Sequence, residues 1–394
     1  MQKIILIIIV AFGVQAVLSG EEVTCKTPNN EDGACIPIRQ CQKMYNARRS
    51  KVKDRQYIDY ISKSICENPN EAIQCVCCKP EERFEVTTTT STTTAPRIQN
   101  FRDVLNIEEH PNIQLFDTNN CGKTTTDRLS YGEKTDLFEF PWMAALGYRN
   151  LSLTLDEPRI FLCGGTLINS FYVLTAAHCI LKENDPKLRL EFARLGEHDF
   201  ATTQDCKLTD SGKICARPVQ DIPIDKTIQH PDYNHPRYNN DIALIRLKNQ
   251  ASISKDDVVP VCLPITEKLK QKQYPEYIIT GWGTTENYTT STVLMRATIP
   301  FVEMNVCQQK LKAKNLFVDL ADDKQFCAGG HNNIDTCRGD SGGPLLVMDE
   351  LNEPQTIQIG VVAFGVNSCG IANIPGVYTK VQYFVRWILD HMEA

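Results

Sequence analysis

The chain has 394 residues, and a composition of 42% hydrophobic and 23% charged residues excludes a wholly disordered or collagen-like protein. Its length exceeds that of one ordinary domain of about 100–200 residues, and its formal net charge of −6 argues against a nucleic-acid-binding protein. Seventeen cysteines predict an oxidising compartment and a disulfide framework, and the odd number leaves at least one thiol without an intrachain partner.

The amino-terminal end has the pattern of a secretory signal peptide. Lys3 precedes an unbroken apolar run over residues 4–12 that continues to about residue 18 and ends on small residues. A membrane anchor, the alternative interpretation, needs about 20 apolar residues, whereas this run is shorter and is interrupted by Gln15. We therefore expect residues 1–20 to be removed during secretion, and no later segment predicts a membrane span.

Three regions follow the signal peptide. Residues 25–78 hold seven cysteines in a stretch too short to be stabilised by core burial alone, which predicts a small disulfide-rich domain. Residues 79–128 form a linker that includes a run of hydroxyl residues at 87–94, from which no packed core can be built. Residues 129–394 contain short, strand-sized apolar runs separated by Gly, Pro and Asn, with helical periodicity only over residues 381–391. They predict a large all-β domain closed by a C-terminal helix.

Two sequons for N-glycosylation become usable if the chain is secreted. Asn150 begins Asn-Leu-Ser, and Asn287 begins Asn-Tyr-Thr. The motif is short, so it marks both asparagines as candidates and leaves open whether either carries a glycan.

Three short segments carry candidate catalytic groups. Ser341 lies in Gly-Asp-Ser-Gly-Gly-Pro, where flanking glycines let backbone N–H groups converge on one point, as an oxyanion hole requires. His178 lies among small residues in Thr-Ala-Ala-His-Cys, and Asp241 precedes an apolar strand in Asn-Asp-Ile-Ala-Leu. Taken singly, they could be a structural or metal-ligating histidine, a turn aspartate and a loop serine. Together they favour nucleophilic catalysis, because base, orienting carboxylate and nucleophile follow one another in the order of the chymotrypsin-like enzymes.

These segments resemble the signatures of trypsin-like serine proteases. Further family landmarks occur in the expected order at residues 139–142 (Glu-Phe-Pro-Trp), 281–283 (Gly-Trp-Gly) and 375–378 (Pro-Gly-Val-Tyr). The cysteine-rich region, with its adjacent Cys77 and Cys78, resembles the clip domain found ahead of arthropod serine proteases of the easter-like and prophenoloxidase-activating kind. The resemblance implies a chymotrypsin-like double six-stranded β-barrel with a C-terminal helix, preceded by a clip domain.

The resemblance also implies how the chemistry is divided. His178, Asp241 and Ser341 would form the catalytic triad, and the backbone amides of Gly339 and Ser341 would form the oxyanion hole. No cofactor is required for this chemistry. Ala363 departs from the family pattern, because a serine that hydrogen-bonds the triad aspartate usually stands there. A non-catalytic clip-domain adaptor is the rival interpretation, but such proteins usually lack the serine nucleophile.

Substrate specificity is implied by one carboxylate. Asp335, before Ser341, would form the floor of the primary pocket, and Gly365 and Gly376 would keep its walls open for a long side chain. An unpaired charge at the bottom of such a slot is costly, so Asp335 would pair with a cationic side chain. The resemblance therefore implies cleavage after Arg or Lys.

Zymogen activation is implied in the same way. Arg128 lies where the family places its activating cut, so an upstream Arg-specific protease would act there. The new α-amino group of Leu129 would insert and pair with Asp340, which orders the oxyanion amides. Leu129 and Tyr131 replace the more usual Ile or Val and Gly after the cut.

The resemblance implies eight disulfides, which the sequence alone does not determine. The implied pairs are Cys25–Cys77, Cys35–Cys66, Cys41–Cys78, Cys121–Cys262, Cys163–Cys179, Cys206–Cys215, Cys307–Cys327 and Cys337–Cys369. The Cys121–Cys262 pair would keep the two chains together after activation. Cys75 is left over, and its fate stays open among an intermolecular bridge, a chemical cap and a thiol.

A metal and several partners complete the expectations. Glu197, Asp199, Thr202 and Asp205 lie in a loop where relatives often bind calcium, although a solvated acidic loop accounts for them equally well. The family acts in extracellular haemolymph cascades, so the implied substrates are prophenoloxidase or pro-Spätzle and the implied inhibitor is a serpin. The sequence does not identify which of these substrates is cut.

Overall fold

A computed structural model describes most of the chain as two compact units, Met1–Ile98 and Gln99–Ala394. The described residues are 23–37, 41, 43–44, 60–61, 63–66, 75–82, 107–124, 134–154, 159–180, 187–210, 212–266, 269, 272, 274–284, 290–330, 339–349, 354–365 and 374–393. Outside them lie the predicted signal peptide, the hydroxyl-rich run at 87–94, Arg128, Leu129, Asn287, Asp335, Cys337 and Cys369.

The first unit is a small antiparallel sheet held together by disulfides. Its strands are β1 (Thr24–Lys26), β2 (Asp32–Pro37), β3 (Ile65–Cys66) and β4 (Cys75–Cys78), in the sheet order β1-β2-β4-β3, and a 3₁₀ helix follows at Pro80–Glu82. The disulfides Cys25–Cys77, Cys35–Cys66 and Cys41–Cys78 connect them. The buried apolar cluster is small and contains Cys41, Met44, Val76 and Cys78. Cross-links therefore do much of the work that a larger core does elsewhere.

The second unit begins with a closed antiparallel barrel of six strands. These are β5 (Met143–Asn150), β6 (Ile160–Asn169), β7 (Tyr172–Thr175), β8 (Leu188–Leu195), β11 (Gln220–Gln229) and β12 (Ala243–Leu247). Between them, β9 (Cys206–Thr209) and β10 (Gly212–Cys215) form a separate hairpin. Trp142, Tyr148 and Tyr172 are fully buried in the core of this barrel. The cyclic strand order is β11-β12-β7-β6-β5-β8, so β12 lies directly beside β7.

A second closed six-stranded barrel follows. Its strands are β13 (Glu276–Gly281), β14 (Met295–Val302), β15 (Gln325–Ala328), β16 (Pro344–Asp349), β17 (Gln355–Phe364) and β18 (Gly376–Lys380), in the order β13-β14-β15-β18-β17-β16. Leu346 and Val361 belong to the same buried cluster as the core of the first barrel, so the two barrels pack against each other. The predicted double-barrel fold is confirmed.

Three α-helices are described: α1 (Ala177–Ile180), α2 (Met304–Ala313) and α3 (Val381–Asp390). Helix α3 was predicted, and its buried residues recur at the spacing of one helical face: Val381, Phe384, Val385, Ile388 and Leu389. Helix α2 was not predicted, because it buries only Cys307 and Leu311 and has no comparable apolar stripe. No helix in the described part of the chain combines the length and the apolar character that a bilayer span demands.

The segment before the predicted cut is attached to the second unit. It contains 3₁₀ helices at Ile107–Glu109 and Ile113–Leu115. The Asn112 side chain donates hydrogen bonds to two carbonyl oxygens at the end of α3, each at 2.9 Å. His110 Nε2 lies 2.9 Å from Asp390 Oδ1. The Cys121–Cys262 disulfide adds a covalent link to the barrels. It would keep this segment attached if the chain were cut after Arg128.

Candidate active site

Strand pairing brings His178 and Asp241 together. Strand β7 leads into α1, which carries His178, and Asp241 lies two residues before the start of β12. The two strands are antiparallel, with Ala243 opposite Thr175, so both side chains lie just beyond the same end of the pair. His178 Nδ1 lies 2.7 Å from Asp241 Oδ2, and the His178 backbone N–H donates to Asp241 Oδ1 at 2.9 Å. The carboxylate therefore fixes both the ring and the backbone of the histidine.

The two side chains of this pair differ in their exposure to solvent. The Asp241 side chain is 5% exposed and that of His178 is 25% exposed, so the carboxylate lies inside while the imidazole reaches the surface. The Thr379 hydroxyl donates to the Asp241 carbonyl oxygen at 2.8 Å and holds the backbone of this residue. Burial, and to a smaller extent the charge of Asp241, raise the pKa of the Tyr233 hydroxyl far above its ordinary value. Tyr233 therefore stays neutral beside the carboxylate.

Ser341 lies between the two barrels and contacts residues of both. Its carbonyl oxygen accepts a hydrogen bond from Gly164 N of β6 at 2.8 Å, and the following residue, Gly342, donates to Val362 O of β17 at 2.9 Å. The Cys179 sulfur lies 3.7 Å from His178 Nε2 and 3.5 Å from the Ser341 carbonyl oxygen. The serine and the imidazole thus share a neighbouring atom.

The disulfide formed by Cys179 also argues against the interpretation of His178 as a metal ligand. Cys163, His178 and Cys179 are one of two groups of three potential metal ligands among the described residues. However, Cys163 and Cys179 form a disulfide, with an S–S distance of 2.06 Å. A disulfide sulfur is not a thiolate, which is the form of cysteine that binds metals. The histidine is therefore better explained as the partner of Asp241.

Glycine is required at the turn that presents Ser341. Gly339 and Gly342 have φ of 105° and 77°, in the left-handed region that residues with a Cβ rarely adopt. A Cβ on Gly342 would also lie 2.6 Å from the Gly164 carbonyl oxygen. The backbone at Gly339 and Ser341 can thus approach a bound carbonyl group without a side chain in the way.

Asp340 points away from Ser341 and docks against the end of β13. Its Oδ1 accepts a hydrogen bond from Gly283 N at 2.9 Å. A Cβ on Gly281 or Gly283 would collide with this carboxylate, so the Gly-Trp-Gly landmark leaves room for it. The position of Asp340 therefore couples the Ser341 turn to the end of β13.

The pocket residues are only partly described. Gly365 follows β17 and Gly376 begins β18, and a Cβ on Gly365 would lie 3.9 Å from the Gly376 Cα. The two predicted wall residues are therefore neighbours, whereas Asp335 lies outside the described residues. Phe364, the residue before Gly365, stacks on the Tyr238 ring with their centroids 4.5 Å apart, a contact that the sequence analysis did not predict. The available signal was an aromatic residue close to Asp241 and another next to Gly365.

Two of the three acidic side chains predicted to bind calcium, Glu197 and Asp205, lie close together, whereas the Asp199 carboxylate accepts a hydrogen bond from Ala201 N. Asp205 Oδ2 accepts hydrogen bonds from the backbone N–H groups of His198 and Asp199, and Asp205 Oδ1 accepts from the Thr202 hydroxyl. Glu197 is bridged to Arg194 at 3.2 Å. Burial, and then the charge of Asp205, raise the pKa of Glu197. Two buried carboxylates therefore share this loop, with one arginine as their described cationic neighbour.

The remaining predicted residues are located as follows. Asn150 ends β5 and is partly exposed. In the second unit the described disulfides are Cys121–Cys262, Cys163–Cys179, Cys206–Cys215 and Cys307–Cys327. Cys75 is buried in β4 and belongs to none of the described disulfides.

Comparisons with known proteins agree with this geometry. The family model named Trypsin matches residues 130–388, and the Regulatory CLIP domain of proteinases matches residues 25–78. The Drosophila melanogaster protein named serine protease grass is 35% identical over 98% of this chain and 96% of its own length. The Spaetzle-processing enzyme of the same fly is 36% identical over 93% and 91%. Phenoloxidase-activating enzyme 1 of Spodoptera litura is 35% identical over 94% and 93%.

A solved structure is similar as well. The crystal structure of the Drosophila Grass clip serine protease of the Toll pathway matches with a TM-score of 0.60 and 33% identity, over 94% of this chain and 97% of that one. The fold and the site define a serine protease of the trypsin family. With its amino-terminal domain, the chain belongs to the clip-domain serine proteases, which are hydrolases.

Proposed function

We propose that the chain is a secreted zymogen which, after cleavage at Arg128, hydrolyses protein substrates on the carboxyl side of Arg or Lys. The observation that carries the proposal is the 2.7 Å contact between His178 Nδ1 and the buried Asp241 carboxylate, in a site that also holds Ser341. This contact leaves His178 Nε2 as the ring nitrogen that faces a substrate. Secretion rests on the predicted signal peptide and on the disulfides, which persist in oxidising compartments.

The chemistry follows from these three groups. His178 Nε2 takes the proton of the Ser341 hydroxyl as its oxygen attacks the scissile carbonyl carbon. Asp241 keeps the proton on Nδ1 and stabilises the imidazolium that forms. The N–H groups of Gly339 and Ser341 receive the oxyanion, and His178 then protonates the leaving amine. Water repeats the sequence on the acyl-enzyme and releases the acid.

Activation is proposed to act through Asp340. Cleavage after Arg128 would free the α-amino group of Leu129, whose ammonium form would pair with the Asp340 carboxylate. Asp340 already adjoins Gly283 and is covalently next to Ser341, so this pairing would set the oxyanion amides. The Cys121–Cys262 disulfide would then keep the amino-terminal chain attached.

Specificity is proposed to depend on Asp335. A carboxylate at the base of a slot walled by Gly365 and Gly376 would pair with the guanidinium or ammonium group of the substrate. The adjacency of the two glycines supports an open slot.

The biological setting is proposed from the relatives. The names of two of them specify processing of Spaetzle and activation of phenoloxidase. We infer that this chain acts in an insect haemolymph immune cascade, is activated by an Arg-specific protease upstream, and cuts pro-Spätzle or prophenoloxidase. A serpin is its proposed inhibitor. Incubation of the activated enzyme with each purified precursor, followed by sequencing of the new amino termini, distinguishes the two substrates.

Calcium is proposed as a structural ligand of the loop over residues 196–206. Glu197 and Asp205 supply the hard oxygen ligands that this cation prefers, and a cation there would relieve the repulsion that contributes to the raised pKa of Glu197. Calcium should therefore raise the melting temperature of the enzyme, and chelation should lower it. The shift should disappear in Glu197→Gln, and its persistence in that variant would place calcium elsewhere.

Ser341→Ala tests the proposed function. Both proteins are activated with trypsin, freed of it, and assayed on an arginyl ester. The wild type should hydrolyse the ester, and the variant should lose about 10⁴–10⁶-fold in kcat. Equal hydrolysis by both proteins would exclude Ser341 as the nucleophile, and hydrolysis by neither would leave the chain a non-catalytic adaptor.

A further inference from the structure

An open groove of about 1110 Å³ lies on the first barrel. It is lined by Arg159, by residues of β6, β8 and β11 and by Phe200, and the proposed triad is not among its lining residues. The volume is slightly above the range for small-molecule sites, about 300–1,000 Å³. The groove is thus large enough for several side chains of a peptide.

The floor of the groove is aromatic. The rings of Phe161 and Phe200 have centroids 4.7 Å apart, and Phe192 meets Phe161 edge to face at 6.0 Å. All three side chains are partly exposed. Arg194 lies over this cluster, with Cζ 5.2 Å from the centre of the Phe161 ring. Partly exposed rings beneath a cation favour an apolar or aromatic group of a ligand.

One end of the groove is cationic. Glu191 accepts a 2.8 Å hydrogen bond from Arg159 and a 2.6 Å hydrogen bond from Arg189, and Arg149 Nε approaches it at 3.3 Å. Burial would raise the pKa of Glu191, but the hydrogen bonds from Arg189 and Arg159 outweigh it and hold that pKa below its ordinary value. The carboxylate is thus ionised at neutral pH, and three guanidinium groups share its single charge. Among the residues that the structure describes, this end of the groove therefore has a local excess of positive charge.

The acidic residues that β11 contributes to the groove lining are engaged by arginines. Asp221 accepts two 2.7 Å hydrogen bonds from Arg194, and Asp225 accepts one of 2.9 Å from Arg246. These arginines offset the charges of Asp221 and Asp225, so the described guanidinium groups around Glu191 are the ones left to attract an acidic ligand. Arg189, with 53% of its side chain exposed, is the most accessible of the guanidinium groups around Glu191.

Strand β6 connects the groove with the catalytic serine. Gly164 of β6 donates to the Ser341 carbonyl oxygen, and Phe161 lies three residues earlier, roughly 10 Å along the strand. Val362 of β17 holds Gly342 from the other side, and β17 leads to Gly365 in the wall of the proposed pocket. A substrate whose acyl portion lies toward Gly365 therefore directs its leaving-group portion toward β6.

We propose that this groove binds an acidic segment of the protein substrate, located on the carboxyl side of the cleaved bond and bearing an aromatic or large aliphatic side chain. The acidic groups would contact Arg159 and Arg189, and the apolar side chain would cover Phe161 and its neighbours. The proposal rests on the proposed function, because it assigns the groove to the substrate of the same active site. It gives the enzyme a basis for choosing among proteins that share a cleavable Arg.

The test is peptide binding to full-length Ser341→Ala protein, measured by fluorescence anisotropy. The probe is a labelled peptide in which glutamates alternate with phenylalanines, and it is compared with versions that carry Lys for Glu or Ala for Phe. Only the first peptide should bind well, and added salt should weaken it. Arg189→Glu should weaken binding, and Arg159→Glu/Arg189→Glu should weaken it by about tenfold or more. The single substitution remains informative if the double variant does not fold.

A matched control variant tests whether the effect on peptide binding depends on the location of the charge reversal. Lys312→Glu/Lys314→Glu makes the same change in net charge at exposed positions in and after α2, and it should leave peptide binding intact. Equal weakening by both pairs of substitutions would overturn the proposal, as would equal binding of the Ala-containing peptide. Ester hydrolysis by trypsin-activated wild type is measured alongside. Its failure would remove the proposed function, whereas hydrolysis without peptide binding would remove only the groove.

Discussion

The two barrels assemble their parts of the site in different ways. In the first, the antiparallel pairing of β7 and β12 places His178 and Asp241 at one end of the same strand pair, and a buried carboxylate locks the imidazole. In the second, Ser341 lies on a glycine-rich turn whose position depends on the docking of Asp340 against Gly283. The fold itself therefore holds the proposed base, whereas the proposed nucleophile and oxyanion amides lie beside the Asp340 contact, which the proposed activation would change. Activation should accordingly act on the second barrel.

Asp241→Asn should have the largest effect, because it alters the His178–Asp241 pair of the first barrel. An amide in place of the carboxylate would leave the ring near its present position but no longer favour the proton on Nδ1. We expect kcat on an arginyl ester to fall by about 10⁴-fold. The cut at Arg128 should still occur at the normal rate, as judged by gel electrophoresis. Normal hydrolysis by this variant would show that the pair is only structural.

Arg128→Gln should have the next largest effect, because it prevents the activation that we assign to the second barrel. Without a cut, no α-amino group reaches Asp340, and we expect activity to stay roughly 10³-fold or more below that of the activated wild type, the size of an oxyanion defect. His178 and Asp241 should be unaffected. Strong activity in the uncut variant would contradict the activation scheme.

The same contact predicts a pH dependence for the activated enzyme. A free α-amino group titrates near 7.7–8.0, and pairing with Asp340 would raise that pKa. The stabilisation is then fully present below the unpaired value and is lost as the pH rises through the raised one. Activity should fall on the alkaline side, and chemical acetylation of the new amino terminus should abolish it at every pH.

Gly283→Ala should have an intermediate effect. A Cβ at this position collides with the Asp340 carboxylate, which must move and disturb the oxyanion amides. We expect kcat to fall by about 10²-fold, at the low end for the loss of one oxyanion donor. The melting temperature of the variant is measured alongside kcat. A fall in kcat that accompanies a lower melting temperature and disappears on cooling would point to stability rather than to Asp340.

Sequence reasoning reached local motifs better than it reached surfaces. The sequence analysis identified the candidate catalytic segments from their local motifs, which contain His178, Asp241 and Ser341. It also predicted α3, because the apolar residues of this helix recur on one face along its whole length. The groove was missed because its aromatic and basic residues come from β6, β8, β11 and the loop after β8, which only the barrel brings together. The stacking of Tyr238 on Phe364 was missed for the same reason, since one precedes β12 and the other ends β17.

Ala363→Ser should have the smallest effect. Ala363 is 4% exposed and lies in β17, beside the strand whose Thr379 binds the Asp241 carbonyl oxygen. A serine would add the hydroxyl that the family usually has there, and a gain of roughly 0.5–1 kcal/mol would raise kcat about two- to fivefold. A decrease would indicate that Asp241 is already fully oriented by His178 and that the hydroxyl only disturbs packing.

Labelling with a fluorophosphonate tests most directly whether the two barrels together form a site in which Ser341 is an activated nucleophile. The uncut chain and the chain cut after Arg128 are treated with the reagent, and the modified peptide is identified by mass spectrometry. We expect one adduct per molecule on Ser341 in the cut chain, and little or none in the uncut chain or in Asp241→Asn. Labelling of another residue, or equal labelling before and after the cut, would contradict the division of roles between the two barrels.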